Sequence, residues 1–319
     1  MRYSVVIPAY QAGATIEAAV GSALAQDLPP VEVLVVDDGS TDDTAGRAEA
    51  AGARVIRQSV NQGAAVARNI GLAAANAPRV ALLDADDTWT PGHLGAIAAA
   101  FTAVPQAKVA FGGVIKHLPF GEFEIPIPFP THTLLHPLDT LLRRNQVPLS
   151  AAVVDRQAAL AAGGFDPTYR ITYDYALWLR LALQVGFVRA GGIGLRYQVH
   201  PGQLSANYRL LLEEAWRARF EAVARMPREA ALRHGADLLA GWELDLRRSW
   251  NRRSPTELDF LLALADRIPA SEPVRRRWQR RRRALPWLRA PLAWWDHIPR
   301  GLRTRVAKFR GTYDYDLVG

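Results

Sequence analysis

Four apolar residues, Val80-Ala81-Leu82-Leu83, run directly into Asp84-Ala85-Asp86-Asp87, three carboxylates within four positions. Burying an unpartnered charge is costly, so the apolar run reads as a buried strand and the acids as its continuation outside the core. In an open α/β sheet this places them at the carboxyl end of a strand, over the crevice where such sheets bind ligands. Extended alternation puts Asp84 and Asp86 on one side and turns Ala85 away. Two same-side carboxylates among small neighbours suit a hard cation such as Mg²⁺ or Mn²⁺, which completes its shell with water and substrate phosphates. The segment by itself equally fits an acidic turn ahead of a helix, because Thr90-Pro91 is a good helix start.

The rest of the N-terminal half repeats this grammar. Ser4 to Pro8, Val31 to Val36 and Ala53 to Gln58 read as further short strands, the first ended by Pro8 with Tyr10 just beyond and the second ending in Asp37-Asp38. Between them, Ala14 to Gln26, Asp42 to Ala51 and Ala64 to Ala75 carry helical spacing. Strand–helix alternation of this kind predicts a doubly wound, mostly parallel sheet flanked by helices. Tyr10, Asp38, Asp84 and Asp86 then gather around one crevice. Gly92 to Val104 continues as helix, Lys108 to Ile115 as strand, Ala151 to Val154 as strand and Arg156 to Ala162 as helix. Tyr173 to Gln184 is an amphipathic helix with Asp174 in its first turn, and Arg196 onward is a strand giving way to a turn. Pro119 to Pro137, rich in proline and aromatics, is expected to be irregular and a candidate mobile flap. From about Asn207 long Leu/Ala/Arg helical segments take over, and seven of the nine tryptophans lie beyond position 210.

There are no cysteines, which excludes disulfides, zinc–thiolate sites and thiol nucleophiles. The N-terminus runs straight into a strand, so no signal peptide is expected, and no apolar run reaches the length of a spanning helix. A cytoplasmic location follows as the expectation. Between Arg275 and Arg310 thirteen Arg or Lys face one acid, Asp296, in a chain whose formal charge is +8, so the remainder is net acidic.

Six stretches in order carry a family resemblance: Val6 to Tyr10, Val35 to Asp42, Asn61 to Leu72, Leu83 to Asp87, Gly163 to Asp166 and Asp174 to Arg180. Over residues 1–205 the chain resembles the family 2 glycosyltransferases, the inverting GT-A group. The resemblance implies a Rossmann-like GT-A domain over 1–205, with a nucleotide-sugar-binding half (1–105) and an acceptor-binding half (106–205). A mainly α-helical region, 206–319, follows. It implies a UDP-, GDP- or dTDP-sugar donor and a divalent metal, Mn²⁺ or Mg²⁺. Pro8, Ala9 and Tyr10 match the loop that packs on the nucleobase, Asp38 the carboxylate that accepts from the base, and Arg68 a basic residue near the base or diphosphate. Asp84-Ala85-Asp86 is the DxD motif, with Asp84 on the ribose and Asp86 on the metal. Asp174 falls where the family places its general base, and is otherwise a helix N-terminal carboxylate. His200 resembles a late histidine that completes the metal site in some relatives, or is a plain packing residue. Asp37 and Asp87 read as turn and cap residues, and Trp89 and Trp178 as core. Two departures stand out: Tyr173 and Ala176 occupy positions where the family usually carries acids, and Gln11 stands where Asn is common.

Such an enzyme would serve a glycan or lipid-linked acceptor in surface polysaccharide or glycolipid synthesis. Arginines beside tryptophans in 275–310 have the composition of a segment facing anionic lipid, or of a basic helix packed through its tryptophans. Nucleic acid is not expected as a partner, since no nucleic-acid module is recognisable. A nucleotidyltransferase would carry a basic, Gly-rich loop after the first strand, and Tyr10 to Thr15 has no basic residue. A nucleotide-sugar-binding scaffold without catalysis is the non-enzymatic alternative.

Overall fold

Apolar, largely β-branched runs form the first strands, as their sequence requires: β1 (Tyr3–Ala9), β2 (Glu32–Asp37), β3 (Arg54–Arg57) and β4 (Arg79–Leu82). The computed structural model describes residues 1–118, 121–198, 207–252, 254–268 and 270–289. By contacts the chain forms two units, one of residues 1–141 with 145–222, the other of 142–144 with the described residues from 223 onward.

In the first unit the strands are joined by helices α1 (Ile16–Leu24), α2 (Thr44–Ala50) and α3 (Ala64–Ala74), and all their pairings are parallel. The second half adds β5 (Thr88–Trp89), α4 (His93–Ala103), β6 (Ala107–Leu118), β7 (Gly121–Ile125), α5 (Leu138–Arg143), β8 (Ala152–Asp155), α6 (Arg156–Ala161), α7 (Tyr173–Ala182) and β9 (Gly186–Gln198). Sheet order is β3-β2-β1-β4-β8-β6-β9-β5, with β7 beside β6. The sheet is mixed rather than mostly parallel: β8 runs antiparallel between β4 and β6, and β5 and β7 pair antiparallel as well. A strand buried on both faces carries the same apolar run in either direction, so direction was invisible in the sequence.

Two further expectations are corrected. The segment read as a flap is pinned: β7 pairs with β6, Thr131 and Leu135 bridge to Arg189 and Phe187, and the Arg189 guanidinium donates to the carbonyls of Ile127 and Phe129 at 3.0 and 2.8 Å. The last strand starts at Gly186, ten residues before the expected Arg196. Its Arg189 and Gly191-Gly192-Ile193-Gly194 break the apolar pattern. Those glycines make room: a Cβ on Gly194 would lie 2.0 Å from the ring of His93, which is buried against the sheet and stacked 4.8 Å from Trp89. Burial pushes His93 down to about 3, so it stays neutral.

Helix α8 (Tyr208–Ala224), beyond the boundary expected at 205, belongs to the first unit through Ala222. The second unit is helical, with α9 (Arg228–Arg233), α10 (Gly235–Asn251), α11 (Pro255–Ala263) and α12 (Glu272–Arg289). Trp242 is fully buried and donates its indole N–H to the Leu261 carbonyl at 2.7 Å. Trp278 on α12 is buried edge-on to Trp250, so it is core and not a lipid-facing residue. Arg275, Arg277 and Arg282 pair with Asp266, Glu243 and Asp259. Residues 290–310 of the basic segment lie outside the described residues. No helix among the described residues is long and apolar enough to cross a membrane.

Candidate active site

The carboxyl ends of β1, β2 and β4 lie side by side: Ala9 is in register with Asp37, and the Leu83 N–H donates to Val6 at 3.2 Å. Pro8 and Ala9 are buried within β1, whereas Tyr10 just beyond is 51% exposed. Asp37 accepts from the Ser40 N–H at 3.0 Å, a turn role. Asp38 is buried, and its two oxygens accept the N–H groups of Gln62 and Gly63 at 2.9 and 2.7 Å. It therefore ties the end of β2 to the loop that opens α3. Gly39 adopts φ +76°, and a Cβ there would lie 2.8 Å from the Val60 carbonyl carbon, so the two loops meet backbone to backbone.

Strand β4 ends at Leu82, and the acids after it form a turn in which the Asp87 N–H donates to the Asp84 carbonyl at 3.2 Å. Strand alternation is thus not what groups them. The turn brings one carboxylate oxygen each from Asp84, Asp86 and Asp87 within 4.8 Å of one another. Ala85 is buried. Asp87 is buried too, and its Oδ1 accepts the Gln198 N–H at 3.1 Å, fastening the end of β9 to the cluster. Its Oδ2 has no hydrogen-bond partner among the described residues. Burial first, then the neighbouring Asp84 and Asp86, push its carboxyl well above the usual carboxylate range. Three converging carboxylates, one with an orphaned buried oxygen, fit a divalent cation that prefers hard oxygen ligands.

Arg68 is 2% exposed and turned inward. Its guanidinium pairs with Asp84, donates to the Ala64 carbonyl at 3.2 Å, and lies 4.8 Å from the centre of the Tyr173 ring. Against the cost of burial, the neighbouring Tyr173 and Asp84 hold it firmly protonated. Ser150 supports the same acid, accepting the Asp84 N–H at 3.2 Å on its hydroxyl and the Trp89 indole N–H at 2.6 Å on its carbonyl.

Asp174, second residue of α7, is buried. Burial pushes its carboxyl up to about 6, against the lowering effect of the Tyr175 backbone N–H and of Asn145, whose amide donates to Oδ2 at 3.0 Å. Arg68 lowers it and Asp84 raises it electrostatically. Burial drives the neighbouring Tyr173 hydroxyl up to about 12, leaving it protonated at neutral pH. His200 lies outside the described residues. Asn145 and Ser150 went unnoticed in the sequence, where neither stands in a motif. Tyr173 left a trace as an aromatic where an acid is usual.

The Glycosyl transferase family 2 profile matches residues 4–146. The chain is 32% identical over 226 residues to the succinoglycan biosynthesis protein ExoU of Rhizobium meliloti, covering 65% of each, just under two thirds of that relative's length. It is 30% identical over 210 residues to the Escherichia coli protein WfaP, named UDP-Glc:alpha-D-GlcNAc-diphosphoundecaprenol beta-1,3-glucosyltransferase, covering 64% of this chain and 80% of WfaP. The fold matches the crystal structure of S. aureus TarS 1–349 in complex with UDP-GlcNAc, with TM-score 0.68 at 17% identity over 84% of this chain and 82% of that one.

Proposed function

The chain belongs to glycosyl transferase family 2, and we propose that it is an inverting, metal-dependent glycosyltransferase. It moves a sugar from a nucleoside diphosphate onto an acceptor hydroxyl in the synthesis of a surface polysaccharide or glycolipid. The observation that carries this reading is Asp174: a buried carboxyl with its proton affinity raised to about 6, in the same crevice as three acids suited to a cation. A base poised near the working pH transfers protons most effectively.

In this reading the donor lies over residues 1–105, its base against Tyr10, with Pro8, Ala9 and Asp38 shaping that wall. Asp84-Ala85-Asp86 faces the ribose and diphosphate. Asp86 is the first candidate to hold the cation, beside Asp84 and Asp87, with His200 a further proposed ligand. The bound cation supplies positive charge against the diphosphate that departs. Arg68, from behind, holds Asp84 in place. Asp174 takes the proton from the acceptor hydroxyl as its oxygen forms a bond to the anomeric carbon and the bond to the diphosphate breaks. A single displacement with a single base inverts the anomeric centre. Residues 106–205 then form the acceptor side, and WfaP's printed activity makes a lipid-diphosphate-linked sugar the first acceptor to try.

A thermal-shift panel of UDP-, GDP- and dTDP-sugars with Mn²⁺, Mg²⁺ or EDTA tests the donor assignment. Binding stabilises by mass action, so one nucleotide class is expected to raise Tm with metal and not with EDTA. A flat panel removes the donor reading.

The membrane completes the proposal: the chain works on the cytoplasmic face, drawn to anionic lipid by 275–310. Arg280 and Arg281 are exposed on α12, and each basic residue near such a surface contributes about 1 kcal/mol. The full chain is expected to float with phosphatidylglycerol-containing vesicles at low salt and to be released at high salt. Failure to float at low salt removes the lipid contact.

A further inference from the structure

The loop that leads into the helix carrying Asp174 is gripped along one face of α8. Glu214 is buried there and collects three consecutive backbone N–H groups: Arg170 on Oε1 at 2.7 Å, and Ile171 and Thr172 on Oε2, both at 2.9 Å. These amides lie immediately ahead of α7, where a helix start leaves N–H groups without partners of its own. Three and seven residues on, the same face continues the grip. Arg217 donates to the Thr168 carbonyl at 3.3 Å and to its hydroxyl, and its guanidinium lies 4.0 Å from the centre of the Tyr169 ring. Glu221 accepts the Tyr169 hydroxyl at 2.8 Å. Beside Asp174 itself, the Tyr175 hydroxyl accepts from Arg219 at 2.9 Å and donates to the Leu141 carbonyl. Arg219, like Glu214, is buried.

We infer that Glu214 is a positioning residue for the base: by fixing the amides of 170–172 it sets where α7 begins, and with it where the Asp174 carboxyl stands. Helix α8 lies outside the region matched by the family profile, and its sequence carries no motif. A brace is useful at this point because, among the described residues, Asp174 accepts one side-chain hydrogen bond, from Asn145. A base displaced by about 1 Å loses about a hundredfold in rate. The inference rests on Asp174 as the base.

Glu214→Gln tests it, since the substitution keeps size and shape but turns an NH₂ group toward backbone N–H donors that it cannot satisfy. The probe is the nucleotide sugar with the largest thermal shift, with Mn²⁺, and the readout is release of nucleoside diphosphate with water as acceptor. The rate is expected to fall about tenfold or more, with the nucleotide-induced thermal shift retained. The acid limb of the rate profile is expected to move to lower pH, because a loosened loop admits water to Asp174 and desolvation is what raises it. A parent-like rate in the folded variant overturns the inference, as does a rate loss matched by loss of nucleotide binding with the limb unmoved. If Glu214→Gln does not fold, Arg217→Ala at a half-exposed position decides: a few-fold loss with nucleotide binding intact supports the brace, and a parent-like rate overturns it. Asp174→Asn in the same assay separates the two layers. If it leaves the rate unchanged, the base assignment fails; if it abolishes the rate while Glu214→Gln keeps the parent rate, only the brace fails.

Discussion

Asp174→Asn is expected to lower sugar transfer by about 10²–10⁴-fold, the range that a positioned general base contributes, while leaving metal-dependent nucleotide binding in place. The substitution preserves shape and the contact with Asn145 but removes the carboxyl that would take the acceptor's proton. In the parent, the rate is expected to rise with pH along a limb centred near 6 and to level off above it, because the carboxyl must lose its proton before it can accept one from the acceptor. The variant has no such limb. Stability moves the opposite way. The folded carboxyl binds its proton more tightly than the unfolded one does, so nothing is lost below about pH 4. Stability then falls as pH rises through 6, by an amount on the order of 3 kcal/mol for a shift of about two units. Asn carries no charge to desolvate, so the variant is expected to melt a few degrees above the parent at pH 7.5 and with it at pH 4. Parent-like transfer by the variant would remove Asp174 as the base.

Asp86→Ala is the second large effect. Asp86 is partly exposed in the turn that follows β4, so its removal spares the core. Asp84→Ala would be a poorer test, because it strands the buried Arg68 without its carboxylate, and an unpaired buried charge is strongly destabilising. With Asp86 gone the cation site loses one of its converging oxygens. The thermal shift from nucleotide sugar with Mn²⁺ is then expected to collapse to the EDTA value. Transfer is expected to drop about 10³-fold, corresponding to about 4 kcal/mol of lost stabilisation of the departing diphosphate. Equal binding with and without metal in both parent and variant would sink the assignment of this cluster to a cation.

These two experiments address the two halves of the site, and the halves were unequally legible. The donor side is written locally. Apolar runs must be buried and carboxylates need partners or water, so Val80 to Leu83 followed by Asp84 to Asp87 marked a strand end and a cluster of acids from eight residues of chain. The same holds for β1 before Tyr10 and for β2 before Asp38. What the three-acid turn does beyond that was not legible: Asp87 was read as a cap, and the structure has it reaching Gln198 across 111 positions to hold the end of β9. Arg68 was read as a basic residue near the base or diphosphate, and its burial against Asp84 and the ring of Tyr173 was not legible.

The acceptor side depends on contacts between segments that carry no signature of their own. Nothing in Arg144-Asn145-Gln146 marks an amide that donates to Asp174, 29 positions away, and nothing in Leu212-Glu213-Glu214 marks which glutamate is buried. A period of two or 3.6 residues tells which face of an element is apolar, so composition and spacing determined most of the elements and the acids that follow the strand ends. Which polar side chain satisfies which distant backbone group, in which direction β8 enters the sheet, and how far burial raises Asp174 are properties of the packed chain. They depend on what surrounds a group in space, and only the tertiary structure brings those neighbours together.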